Sequence, residues 1–210
     1  MFSKEIVLAT RFGSVQIRSF CAPEDLDRFE FDAGFCAGRG EKSLFTGRES
    51  LKQQAQQPEA NLVLAAAGDG RIIGFAILAY PEPGDRWAEL GGGIMMEVKA
   101  IEVVRRRRSA GIAGEMLKLL LDHPRLEDRI IYMVGFSWTW DLDGVRMTAV
   151  QYRRMLLRLF EPCGFEQYRT NEPNICLKPE NLFLCRIGNH LADAVLNRFK
   201  WLRFGLAPWR

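Results

Sequence analysis

Val98-Lys99-Ala100-Ile101-Glu102-Val103-Val104 leads through Arg105, Arg106, Arg107 and Arg108 into Ser109-Ala110-Gly111-Ile112-Ala113-Gly114, and the order of these residues decides the fold. The first seven are extended and β-branched in character and read as a strand. Beyond the glycine-bearing turn, Ile112, Met116 and Leu120, with Ala113, Leu117 and Leu121, recur at helical spacing, while Glu115, Lys118 and Asp122 lie opposite. A strand entering an amphipathic helix through small residues leaves unpaired N–H groups and partial positive charge at the turn, where an anion can approach closely. No Gly-Lys-Ser/Thr follows and the pattern is not Gly-x-Gly-x-x-Gly, so ATP and dinucleotides lose their main support. Another molecule bearing a pyrophosphate fits the turn better.

Upstream, Ile6–Ala9 and Val15–Arg18 read as a strand pair, Pro23-Glu24-Asp25 as a helix start, and Arg48 to Gln57 as a helix. Leu62–Ala67, Gly68-Asp69-Gly70 and Arg71–Tyr80 spell strand, tight turn, strand. Downstream come a strand over Arg129–Phe136, a helix marked by Ala149, Tyr152, Leu156 and Leu159 that ends before Pro162 and Gly164, and a strand near Leu182–Ile187. A final helix carries an apolar stripe of Leu191, Val195, Phe199 and Leu202. Strands interleaved with helices predict a mixed α/β or α+β fold with helices on both faces of a mixed sheet. No linker or repeat divides the chain, so a single domain over 1–210 is expected, with a C-terminal helical extension at about 189–204.

The chain has 210 residues, 48% of them apolar, enough for a sizeable core. Its 29 basic and 26 acidic residues nearly cancel to a net +3, which does not prompt a nucleic-acid partner. No apolar run approaches the roughly 20 residues of a membrane span, and Met1-Phe2-Ser3-Lys4-Glu5 lacks the apolar stretch of a signal peptide, so a cytoplasmic protein without membrane attachment is expected. Five cysteines without Cys-x-x-Cys spacing read as reduced, and His123 and His190 lack ligand spacing, so no metal is expected.

Arg108-x-x-Gly111-x-Ala113 directly after a strand resembles the pyrophosphate-binding motif of the GNAT N-acetyltransferase superfamily. Phe160-Glu161-Pro162-Cys163-Gly164-Phe165 is similar to that superfamily's later helix-end signature, and Asp69 to Gly74 to the usual entry to its third strand. Within the superfamily, Glu97 to Val104, Trp138-Thr139-Trp140-Asp141-Leu142, Tyr152-Arg153-Arg154, Arg186-Ile187-Gly188 and Leu202-Arg203-Phe204 resemble the AcuA family, over most of the chain. The resemblance implies the GNAT acyl-CoA N-acyltransferase fold, acetyl-CoA as cosubstrate, and acetylation of a lysine of acetyl-CoA synthetase that switches the synthetase off. It also implies that main-chain groups of Ile101, Glu102 and Val103 pair with the pantetheine arm, and that Arg108, Ser109, Ala110, Gly111, Ile112, Ala113 and Gly114 hold the pyrophosphate. Where many members carry a tyrosine that protonates the leaving thiolate, this chain has Phe160. Water and Tyr152 both remain open as the acid.

A lysine with a reference pKa of about 10.4 is almost wholly protonated near neutrality, so a base must strip it before attack. Glu97 and Glu102 are the candidates on the key strand, and their offset of five places them on opposite faces if the strand is regular. Glu97 aligns with the glutamate or histidine used as base elsewhere in the superfamily and is the first choice, Glu102 the second. The four arginines read as a solvated turn of which at least one lies beside the pyrophosphate. Trp138 and Trp140 read either as a pair on one sheet face with Asp141 capping a turn, or as a partner surface, and the aromatic and basic tail from Phe199 to Arg210 as core closure. Cys163 reads as structural. A GNAT enzyme acting on a small amine and a non-catalytic acyl-CoA sensor are the competing readings; oligomeric state is not legible.

Overall fold

The structure is a computed structural model describing residues 3–35 and 47–206; Cys36, Trp209 and Arg210 lie outside the described residues. In chain order the strands are β1 (Glu5–Thr10), β2 (Gly13–Arg18), β3 (Glu30–Phe31), β4 (Asn61–Ala67), β5 (Arg71–Ala79), β6 (Met95–Val103), β7 (Ile130–Gly135), β8 (Glu166–Gln167) and β9 (Leu182–Ile187). The helices are α1 (Arg48–Ala55), α2 (Ile112–Leu121), α3 (Leu142–Val145), α4 (Ala149–Phe160), α5 (Pro173–Cys176) and α6 (Asp193–Leu202). Parallel and antiparallel pairs mixed with helices make the class α+β, as the sequence predicts. The residues form two compact units, one of Met1–Ala79 with Lys99–His123, the other of Tyr80–Val98 with Pro124–Arg210.

In the first unit β1, β2, β4 and β5 follow one another antiparallel, and β5 neighbours the later half of β6. Cys21, Leu26, Leu51, Leu62, Leu64, Phe75 and Ile77 fill one core cluster. Helix α2 buries Ile112, Met116, Leu117, Leu120 and Leu121 from the predicted stripe, and Leu119 besides. Its last carbonyls would be orphaned in an apolar interior; buried Asn61 donates to those of Leu119 at 3.1 Å and Leu120 at 2.9 Å. Gly74 lets main chain and helix approach: a Cβ there would lie 3.0 Å from the Glu102 carbonyl oxygen and 3.2 Å from Met116 Cε.

In the second unit the start of β6 runs parallel to β7, with Met95, Met96 and Glu97 opposite Ile130, Ile131 and Tyr132. β9 pairs antiparallel with β7 on one side and with β8 on the other. Trp87 stacks on Phe183 with ring centroids 4.2 Å apart, and Tyr132, Phe199 and Leu202 join them in one cluster. Arg203 seals the end of α6, its guanidinium lying 5.0 Å from the Tyr168 ring centroid and 5.3 Å from that of Phe199. Of the tail, Phe199 and Leu202 close the core, whereas Trp201, Phe204 and Leu206 are exposed.

Three expectations are corrected. The Pro23 helix is a single 3-10 stretch, Pro23–Arg28, because Phe29 turns extended and the chain enters β3. β6 begins at Met95 rather than Val98, since its first residues find a ladder partner in β7. Trp138 and Trp140 do not share a sheet face: β7 stops at Gly135 and a 3-10 turn follows. Trp138 stacks on Phe136 and Trp140 on Tyr152, at 4.8 Å and 5.1 Å between centroids. Asp141 does cap, accepting from the Gly144 N–H at 3.2 Å.

Burial pushes the Cys21 thiol up from its ordinary 9.0 to about 12, with Asp25 adding to the rise, and burial also raises Cys185. Because folded pKa exceeds unfolded pKa, the protonated thiols contribute stability that is complete below about pH 9 and is lost as pH climbs toward 12. Thiol labelling of the folded protein near pH 8 followed by peptide mapping is expected to modify exposed Cys176 and to spare Cys21 and Cys185 until denaturant is added.

Candidate functional site

The turn into α2 is built for close approach to its main chain. Ser109 and Gly111 both adopt positive φ, 59° and 79°, and Gly111 is the N-cap of α2. Alternating hand along a short run gathers successive N–H groups into an anion-binding concavity. A serine held left-handed costs roughly 1–2 kcal/mol, a strain that persists where the surroundings fix it. The helical ladder opens with Glu115 donating to the Gly111 carbonyl at 3.2 Å, so the amides of Ile112, Ala113 and Gly114 precede it at the positive end. Around both glycines a Cβ would meet nothing within 4 Å, so this main chain fronts open space. The turn therefore leaves main-chain amides at the positive end of α2 facing open space.

The arginines divide their work differently from the expected solvated cluster. Arg105–Arg107 form a 3-10 turn. Arg106 pairs with Asp32, which is 1% exposed, and Arg107 donates to the Phe12 carbonyl at 2.7 Å with its guanidinium over the Phe12 ring. Arg108 donates through Nε to the Val103 carbonyl at 2.9 Å. Three of the four side chains thus fasten the turn to the fold, leaving the amides as the part directed outward.

Main-chain direction along β6 refines the expectation for Ile101, Glu102 and Val103. Val104 donates to the Ile73 carbonyl of β5 at 2.9 Å, so by strand alternation Glu102 also presents its main chain to β5. Ile101 and Val103 turn theirs the other way, and the Val103 carbonyl is the one Arg108 holds. Of the three, Glu102 is the one whose N–H and carbonyl are directed at a neighbouring strand by this alternation. Both carboxylate candidates are half-buried.

Glu97 stands opposite Tyr132 in the β6–β7 register. Burial, and then the negative charges of Glu97 and Asp85, hold the Tyr132 phenol well above its ordinary range, so it stays protonated. Its buried hydroxyl lies near the Glu97 carboxylate and meets no partner at ordinary hydrogen-bond geometry among the described residues. Tyr132 was not singled out in the sequence, because only the offset between β6 and β7 brings it to Glu97. Met95, two residues before Glu97 and on the same strand face, lines a cleft of about 350 Å3 with Tyr80, Trp87 and the run Gly91–Gly93. Arg129, 1% exposed, fixes that run by donating to Tyr80 Oη and the Gly93 carbonyl, both at 2.6 Å.

Phe160 is fully buried and meets Phe165 edge-on at 5.0 Å, so it serves packing. Tyr152 is half-buried against Trp140. Among the described residues no group of three or more His, Cys, Asp or Glu is placed to hold a metal, and no helix is long and apolar enough to cross a membrane.

No protein-family model matches the chain. Acetoin utilization protein AcuA of Bacillus subtilis strain 168 is 30% identical over 198 residues, covering 94% of this chain and 92% of that protein. The crystal structure of an acetoin utilization protein from Exiguobacterium sibiricum 255-15 superimposes with a TM-score of 0.88 at 28% identity, covering 97% of this chain and 95% of that one. The loading GNATL domain of CurA from Lyngbya majuscula superimposes with a TM-score of 0.50 at 14% identity, covering 83% and 98%.

Proposed function

This chain belongs to the AcuA family and carries the mixed α+β GNAT acetyltransferase fold, and from that premise we propose that it transfers an acetyl group from acetyl-CoA to a lysine of a protein substrate, acetyl-CoA synthetase, inactivating it. The observation that carries the reading is the turn of Ser109 and Gly111 into α2, whose amides front open space at the end of a strand. Acetyl-CoA supplies the activated acyl carbon. The amides of Ile112, Ala113 and Gly114 bind its diphosphate, and the outward main-chain groups of Ile101 and the N–H of Val103 receive the pantetheine arm, the Val103 carbonyl being held by Arg108. Arg108, Ser109 and Ala110 shape the turn.

Glu97 is the base: its carboxylate takes the proton of the incoming ammonium, directly or through one water, so that a neutral nitrogen attacks. Direct attack needs no covalent enzyme intermediate, and Cys163 has no part in it. The cleft lined by Tyr80, Trp87, Gly91–Gly93 and Met95 receives the acceptor. Glu102, its main chain committed to β5, is the second choice as base. Water or Tyr152 returns a proton to the leaving thiolate.

The test is to incubate the protein with acetyl-CoA and acetyl-CoA synthetase from the same source. An acetylated synthetase lysine and lost synthetase activity are expected. Tight CoA binding with no transfer supports a sensor, and rapid turnover of a small amine with the synthetase untouched supports a small-molecule enzyme.

Gly114→Asp separates binding from folding. A carboxylate in the first turn favours the helix by about 0.3–1 kcal/mol, and a Cβ at this position meets nothing within 4 Å, yet the charge repels a diphosphate at the same amides. Unchanged or slightly raised Tm, with KM for acetyl-CoA up by roughly tenfold or more, is expected from melting curves and steady-state kinetics.

A further inference from the structure

Between α3 and α4 lies a groove of about 530 Å3 lined by Arg146, Arg154, Arg158, Met147, Met155 and Gln151. Its three arginines are exposed, and no acidic residue lines it. Among the described residues none of the three guanidinium groups has a hydrogen-bond or ion-pair partner, in contrast to Arg106, Arg107, Arg108 and Arg186, which are all engaged. Arg154 and Arg158 stand one turn apart on α4, a like-charge spacing that weakens a helix slightly. Arg146 is the left-handed residue that closes α3, with φ 52°, a conformation unfavourable for a branched or long side chain but fixed by its neighbours. Met147 donates its N–H to the Leu142 carbonyl at 3.2 Å, and Thr148 and Gln151 cap α4 reciprocally, so the connection presenting Arg146 is built rather than loose.

We infer that this groove docks an acidic segment of the protein substrate, glutamates or aspartates against Arg146, Arg154 and Arg158 and apolar side chains against Met147 and Met155. The argument is charge complementarity: three fixed cations without counter-ions take carboxylates through forked, charge-assisted hydrogen bonds, and flexible methionines accept varied apolar side chains. Arginine and methionine are also enriched at protein interfaces relative to the rest of a surface. The groove belongs to α3 and α4 and includes neither Glu97 nor the α2 turn, so it adds selection of the substrate to the chemistry proposed above. It rests on that reading only in taking the acceptor to be a protein.

The test measures binding directly. A short fluorescein-labelled peptide of alternating glutamate and leucine is titrated with the full chain at low salt, beside peptides in which glutamine or lysine replaces glutamate, and fluorescence anisotropy is read. The acidic peptide is expected to bind at least tenfold more tightly than either comparator, to weaken as salt rises, and to lose at least tenfold in affinity in the double variant Arg154→Glu, Arg158→Glu. Unchanged Tm and unchanged KM for acetyl-CoA confirm that the variant is folded. Equal binding of the three peptides, or full affinity in the folded variant, overturns the proposal. So does displacement of the peptide by CoA, which makes the groove a nucleotide-phosphate site, or tighter binding of a single-stranded oligonucleotide. Arginine-dependent peptide binding without acetyl transfer to the synthetase leaves the docking groove standing and removes the proposed acceptor; acetyl transfer with no peptide preference does the reverse.

Discussion

Glu97→Gln is expected to lower kcat/KM for acetyl transfer by roughly 10²–10⁴-fold, the range of a positioned general base. At about 1.4 kcal/mol for each factor of ten, that is a loss of roughly 3–6 kcal/mol in transition-state stabilisation. The amide keeps the size and most of the packing of the carboxylate opposite Tyr132, so the loss falls on proton transfer rather than on folding. A sign in pH accompanies it. Without a base the enzyme depends on the small fraction of lysine already neutral, so residual activity climbs steadily over roughly pH 6 to 9, where lysine with its pKa near 10.4 gains neutral form in proportion to pH. Glu102→Gln is expected to stay within a few-fold of the parent. Intact turnover in Glu97→Gln across that range, with turnover abolished in Glu102→Gln, reverses the assignment.

Gly188→Ala has the largest expected effect on stability. A Cβ at this position would lie 2.3 Å from the Glu127 carbonyl oxygen and 2.5 Å from its carbon, and both are main-chain atoms that cannot swing aside. The two segments are tied by several bonds: Gly188 donates to the Arg129 carbonyl, His190 to the Glu127 carbonyl and Asn189 to the Glu127 carboxylate, each at 2.9 Å. Arg186 pairs with that carboxylate and, more than any other group, holds its pKa below the ordinary range. Relief of the clash therefore requires breaking this knot. A cost of about 3 kcal/mol is expected, a fall in Tm of roughly 6–12 °C for a chain of this size, read by calorimetry at neutral pH. A Gly188→Ala protein that melts with the parent shows that the two segments can separate without loss.

That knot gives a physical reason for a segment that carries part of the family resemblance. Arg186-Ile187-Gly188 supplies an ion-pair partner, a cluster side chain and a site of close main-chain approach within four positions of Asn189. Likewise Leu202-Arg203-Phe204 is a buried anchor followed by a cation seated among aromatic rings. Trp140 is the stacking partner of Tyr152. Spacing along the chain does not show these roles in full, because Glu127, the partner of Arg186 and Gly188, and Tyr168, a partner of Arg203, come from distant segments.

Local order was legible wherever one face of an element had to be apolar. The period of α2 and the stripe of α6 state which residues turn inward, and burial agrees with them, while the apolar runs of β4 and β5 on either side of Gly68-Asp69-Gly70 are buried almost throughout. The small residues of the α2 turn were legible for the same reason: positive φ at Gly111 and open space beside it are properties of a short contiguous stretch. What tertiary structure alone decided is pairing across distance. It directed the main chain of Glu102 to β5, spent Arg106, Arg107 and Arg108 on the fold, brought Tyr132 beside Glu97, and left Arg146, Arg154 and Arg158 without counter-ions among the described residues. Side-chain type and period act over a few residues and are written in order along the chain, whereas strand register and ion-pair choice are settled only when segments far apart in sequence compete for the same neighbours.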